Sequence, residues 1–184
     1  MKKTRFIPLL LAFIVLVTFT LNPASKIEAA TVPTFSVEKI EGAAAGDEVE
    51  VAISVSNNPG IVAATLKVTY DSKLTCINVE DTGILNGYAQ AGTYTSPFNL
   101  FWEDGLSQDN NTANGVIAKL TFKVADDVAN GTYGISITYD PDEVYDVNMD
   151  SVAFEISEGG IVVSGAEPTA TPSPTATPNP TATP

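Results

Sequence analysis

An all-β fold, a sandwich of short antiparallel strands, is what this 184-residue sequence predicts. Three observations predict it. Apolar and polar residues alternate at period two in run after run, the spacing of strands with one face on a core and one toward water. Gly, Pro and Asn punctuate the runs at regular intervals, which is turn chemistry. Outside the first thirty residues, no segment carries an apolar period of 3.6 over about eleven residues.

The first segment stands apart from the fold. Lys2, Lys3 and Arg5 form a basic start, residues 6–21 an apolar run, and Asn22-Pro23 breaks it before the small residues Ala24, Ser25, Ala29 and Ala30. Residues 1–30 therefore read as a secretory signal peptide cut near Ala29 or Ala30. An uncleaved membrane anchor is the alternative, but the apolar run is short against the about 20 residues a span needs. The expectation is an exported chain, extracellular or associated with the cell surface, with no membrane insertion after cleavage.

Residues 35–40 read as a first short strand and 42–46 as a turn of small residues. Residues 48–56 alternate cleanly, with Val49, Val51, Ile53 and Val55 inward and Glu48, Glu50 and Ser54 outward. Asn57-Asn58-Pro59-Gly60 is a turn, since Pro presets φ and Gly tolerates positive φ. The stretch 60–71 carries the most information. Val62, Ala64, Leu66, Val68 and Tyr70 fall on its inward face, and Ala63, Thr65, Lys67 and Thr69 on its outward face. Burying Leu66 and Val68 is worth about 1.5–3 kcal/mol each, so a one-residue slip is strongly opposed. Ala63 and Thr65 are small and uncharged, a surface on which a partner protein can lie flat.

Another strand runs from Leu74 to Val79. Residues 80–96 show no clear period. Residues 98–102 carry large apolar side chains on both faces, and Glu103-Asp104-Gly105 opens a polar loop that runs to Asn114. Residues 115–124 alternate through Val116, Ala118, Leu120, Phe122 and Val124. Ile135, Ile137 and Tyr139 mark a further strand, and Val152, Phe154 and Ile156 another. Glu158-Gly159-Gly160 reads as a hairpin turn into Ile161-Val162-Val163.

From Ala166 the composition changes to Pro and Thr with no large apolar residue. Residues 166–184 therefore read as an extended, semi-rigid linker whose threonines suit O-linked sugars. A spacer normally has something at its far end, and here the chain stops, which suggests a fragment, a truncated reading frame or a domain lost from the end. Between signal and linker, residues 31–165 are long enough for one domain, burying roughly 68% of the unfolded surface.

Removing residues 1–29 takes away four of the 9 bases and one of the 22 acids, leaving a net charge of −16 with no arginine and no histidine. Such a surface repels nucleic acid and anionic membrane and favours basic partners. The single Cys76 has no internal disulfide partner and reads as a small buried hydrophobe.

Three site chemistries can be weighed. Asp146-Val147-Asn148-Met149-Asp150-Ser151 opens like a Ca²⁺ loop, but lacks Gly at the sixth position and has Ser157 where the twelfth wants Glu. A solvated acidic hairpin loop is expected there, with adventitious Ca²⁺ among Asp140, Asp142, Glu143 and Asp146 as the residual reading. Catalysis would have to be carboxylate-only. Glu50, Glu103 and Glu155 are the strand-borne candidates, and nothing pairs them at the roughly 5–9.5 Å a glycosidase needs, so no enzyme and no catalytic residue are expected. A carbohydrate-binding module is the alternative function, binding cellulose or a related polysaccharide through a planar strip of aromatics. Trp102, Tyr88 and Tyr94 are its candidates, with Tyr70 and Tyr139 assigned to the core.

Taken in order, Gly60-Ile61-Val62-Ala63 through Val68-Thr69-Tyr70-Asp71, Leu100-Phe101-Trp102-Glu103-Asp104, Gly115 to Leu120 and Gly159-Gly160-Ile161-Val162-Val163 resemble a cohesin domain, type I-like. The Pro/Thr tract is similar to the linkers of scaffoldins, the non-catalytic organisers of bacterial cellulosomes. The resemblance covers about residues 33–165. It implies a nine-stranded β-sandwich with jelly-roll topology, monomeric and without a cofactor of its own. The implied partners are dockerins, the Ca²⁺-loaded helical tags of secreted glycoside hydrolases, gathered for plant polysaccharide degradation. The implied contact face takes in Ala63, Thr65, Lys67, Leu100, Glu103, Gly105 and Leu106, with Glu103 meeting a Lys or Arg of the partner. The sequence departs from the family's better-known members where they carry Asn and Asp, at Ala63 and Thr65, so two hydrogen-bonding positions of that face are absent.

Overall fold

The structure, a computed structural model, describes residues 31–90 and 92–165; the expected signal peptide and linker lie outside the described residues. Twelve strands form: β1 (Thr34–Val37), β2 (Lys39–Ala43), β3 (Glu48–Ser56), β4 (Ala63–Tyr70), β5 (Leu74–Asp81), β6 (Tyr88–Gln90), β7 (Phe98–Glu103), β8 (Gly115–Val124), β9 (Gly131–Thr138), β10 (Val144–Tyr145), β11 (Glu155–Ser157) and β12 (Gly159–Val163). One 3₁₀ turn, Pro141–Glu143, follows Asp140, whose carboxylate accepts from the Asp142 amide. Among the described residues, no helix is long and apolar enough to cross a membrane.

The strands make two sheets, as the period-two patterning predicts. One has the order β11-β1-β3-β8-β5; the other runs β2-β12-β9-β4-β7-β6, with β10 also on β4. Most pairings are antiparallel. Two are parallel, β1 with β11 and β2 with β12. They arise because the chain changes sheet at Glu38 and again at Glu158, so the first and last strands are each divided between the two layers. That division, with the two-residue β10, accounts for twelve segments against an expected nine.

The hairpin expected at Glu158-Gly159-Gly160 does not form, because β11 and β12 belong to different sheets. The glycines serve close approach instead. A Cβ on Gly159 would stand 2.4 Å from the carbonyl oxygens of Val37 and Glu38, and one on Gly160 2.5 Å from that of Tyr133.

The core lies between the sheets. Phe35, Val51, Ile53, Ile117, Leu120 and Phe122 from one layer meet Leu66, Val68, Leu100, Trp102, Ile135, Ile137 and Ile161 from the other, all of them buried. The polar tips of Trp102 and of the half-buried Tyr70 and Tyr139 packed against this core are satisfied. Trp102 Nε1 donates to Asp81 Oδ1 at 2.9 Å, Tyr70 to the Tyr94 carbonyl at 2.6 Å and Tyr139 to the Phe154 carbonyl at 2.8 Å.

Candidate functional site

The inward set of β4 places everything on its other side. With Leu66 and Val68 sealed in the core, Thr65, Lys67 and Thr69 stand on the outer face of the seven-stranded sheet. Across β7 the register sets Ala63 opposite Glu103, Thr65 opposite Phe101 and Lys67 opposite Asn99. Residues directly opposite in a ladder share a face. The outer row therefore continues through Phe101 to Ala89 of β6, and on the other side through Lys67 to Thr138 of β9. The centre, Thr65 and Phe101, is half-buried and weakly polar; Lys67, Asn99 and Glu103 at its ends are exposed. Beside Lys67 the face dips into a shallow depression lined by Thr65, Asn99, Thr138, Asp140 and Glu143.

The Glu103 end is held by its backbone. The Glu103 amide donates to the Gly87 carbonyl at 3.1 Å, and the Asp104 amide to that of Val62 at 2.8 Å. Gly87 has φ +74°, and a Cβ there would fall 1.9 Å from the Glu103 carbonyl oxygen. The turn from Asp104 to Ser107 closes through an amide–carbonyl bond of 3.0 Å. At its tip, beside Gly105, Leu106 is 92% exposed, an apolar side chain standing in solvent.

Two expected contact residues are placed differently. Leu100 is in the core, because Phe98, Leu100 and Trp102 share the inward parity of β7; Phe101 holds the outward position instead. Ala63 has the outward parity but is only 2% exposed. Tyr145, opposite Ala63 on β10, donates its phenol to Glu103 Oε1 at 3.2 Å and so roofs the alanine over. Burial, then the Glu103 charge and hydrogen bond, push the Tyr145 phenol above its ordinary range. Thr65, Lys67 and Glu103 lie on the outer face of the sheet, with Gly105 and Leu106 on the turn beyond β7. The spacing missed Phe101, although its even separation from Glu103 carries the parity signal; nothing near Tyr145 in sequence marks it.

The competing chemistries find no such assembly. Asp146 spends its carboxylate on its own turn, accepting from the amides of Asn148 at 2.8 Å and Asp150 at 2.9 Å. Those bonds, Asp150's foremost, hold it below the usual carboxylate range. No group of three or more His, Cys, Asp or Glu side chains among the described residues is placed to hold a metal. Glu50 pairs with Lys119 at 3.0 Å on the five-stranded sheet, whereas Glu103 is on the outer face of the other, so the sandwich separates them. Trp102 is buried; Tyr88 packs on it at 5.5 Å between centroids and Tyr94 on Phe98 at 5.6 Å. They form no planar strip.

The cohesin domain family model matches residues 33–163. No curated protein sequence matches the chain. Several solved structures are similar to it. The seventh ScaB type I cohesin from Pseudobacteroides cellulosolvens is 25% identical over 76% of this chain and 97% of its own, with a TM-score of 0.62. The Coh-OlpA-Doc918 complex, a type I cohesin–dockerin complex from Clostridium thermocellum, has a chain 19% identical over 73% and 100%, with a TM-score of 0.63. A non-cellulosomal cohesin from the archaeon Archaeoglobus fulgidus is 16% identical over 73% and 93%, with a TM-score of 0.54. With the family model spanning nearly the whole described sandwich, the chain belongs to the cohesin domain family and is a non-catalytic binding module.

Proposed function

We propose that this chain is an exported scaffold module that binds the Ca²⁺-loaded dockerins of secreted glycoside hydrolases through the outer face of its seven-stranded sheet. The observation that carries the reading is the Thr65–Phe101 pair, a flat and weakly polar centre edged by Glu103 and by the solvent-exposed Leu106. An amphipathic helix laid there covers the exposed part of the Phe101 ring and the Leu106 side chain, gaining about 25 cal/mol per Å² of apolar surface removed from water. Glu103, at the rim, steers a basic partner onto the face, an attraction that salt screens. The Clostridium thermocellum cohesin similar in fold is solved with a dockerin bound, which supports the same class of partner here. Calcium is required on the dockerin side, and the module acts as a monomer.

Calorimetric titration of residues 31–165 with a panel of Ca²⁺-loaded dockerins tests this, alongside a cellulose pull-down. One-to-one binding that disappears on chelation is the expected result. Silence from the panel with retention on cellulose would overturn it in favour of carbohydrate binding.

A further inference from the structure

Three side chains form one row across the end of the outer face. Tyr145 on β10 and Glu103 on β7 both stand opposite Ala63 of β4, one on each side. Two strand spacings, about 10 Å, separate the outer members, and the phenol spans the gap to reach Glu103 Oε1 at 3.2 Å. Ala63, between them, is only 2% exposed.

β10 is two residues long, yet Tyr145 is firmly held. Its carbonyl accepts from the Val62 amide at 2.9 Å, that of Val144 accepts from Val152 at 2.8 Å, and the Val144 side chain is fully buried. The phenol, protonated at neutral pH as an ordinary tyrosine is, donates to Glu103 Oε1. Glu103 thus has one oxygen engaged and its side chain still exposed, a fixed anion beside an aromatic ring. That pairing suits an ammonium or guanidinium group, which gains a charge-assisted hydrogen bond from the carboxylate and attraction to the ring face. Ala63, lying beneath, offers a partner no hydrogen bond.

We propose that Tyr145 is a specificity-determining positioning residue that locks Glu103 across Ala63, so that this face selects dockerin helices presenting a lysine or arginine at the Glu103 end. The proposal rests on the dockerin-binding reading, which already sets a basic group against Glu103, and adds to it the residue that holds that carboxylate in place. The mature charge of −16 favours the same cationic partner.

The test is a double-mutant cycle on residues 31–165 with Tyr145→Phe, Glu103→Gln and both, titrated against the Ca²⁺-loaded dockerin panel at two salt concentrations. Tyr145→Phe keeps the ring, and Glu103 is exposed, so thermal melts of the variants should match the parent. Each single variant should lose about tenfold in affinity, the double should lose little more than either, and both singles should flatten the salt dependence. Parental affinity in Tyr145→Phe, or losses that simply add, would overturn the proposal while leaving dockerin binding intact. A parent silent toward every dockerin would overturn the functional reading, and this inference with it.

Discussion

Leu66 and Leu100 stand directly opposite each other across β4 and β7, and both are sealed from solvent. One step along the ladder, Thr65 and Phe101 make the same pairing on the other side of the sheet. Truncating the inner pair should therefore cost stability and truncating the outer pair should cost binding. Leu66→Ala is expected to lower unfolding free energy by about 2–5 kcal/mol in denaturant titration, and Leu100→Ala to behave likewise. A loss under about 0.5 kcal/mol would count against the register.

Thr65→Arg sets a long cation on the flat centre of the outer face. Dockerin binding should be abolished with the melting temperature nearly unchanged, and Phe101→Ala should weaken binding in the same assay. A large fall in the melting temperature of Thr65→Arg would mean that the faces are inverted.

Gly87→Ala asks a left-handed backbone to carry a Cβ that collides with the Glu103 carbonyl. The conformation alone costs about 1–2 kcal/mol, and the collision adds to it. Thermal melting should show a clear destabilisation, with dockerin affinity reduced because the Glu103 end of the face is displaced. An unchanged melt would show that the loop relaxes freely.

Burial pushes the Cys76 thiol from an ordinary value of 9.0 up to about 11, partly opposed by its contact with the Asn78 carbonyl. A raised folded-state value favours the neutral thiol, so its contribution to stability is complete below about pH 9 and is lost as pH rises through about 11. At pH 8 a thiol-directed chromogenic reagent should leave the folded protein unmodified and react on unfolding. Rapid labelling of the folded chain would refute that placement.

The sandwich was legible because Leu66, Val68, Val51 and Ile53 alternate against small or charged neighbours, a contrast that periodicity detects. β7 offered no such contrast. Phe98, Leu100, Phe101 and Trp102 are all large and apolar, so composition does not say which parity faces out, and nothing in the pattern checks the Leu100 contact that the resemblance implies. Ala63 failed for a different reason. Its parity is outward, but its burial depends on Tyr145, far along the chain in a strand too short to register as one. Gly159-Gly160 carries the chemistry of a tight turn, and local turn chemistry does not tell which sheet each flanking strand will join. The Asp146 segment has the composition of a solvated acidic hairpin loop, and it is a turn closed by that carboxylate.

β1 runs parallel to β11 and β2 parallel to β12, so the described domain receives the chain at Thr34 and releases it beyond Val163, level with Ala43. The two points lie about 30 Å apart along the strands. A pull applied between them acts along the strands, and the ladder bonds of both parallel pairs resist it together; a pull across a hairpin would part such bonds one at a time. The sheet change at Glu38 and Glu158 thus sews the last strand to the first, so that the chain's entry and exit are held by shear-loaded ladders and not by a hairpin.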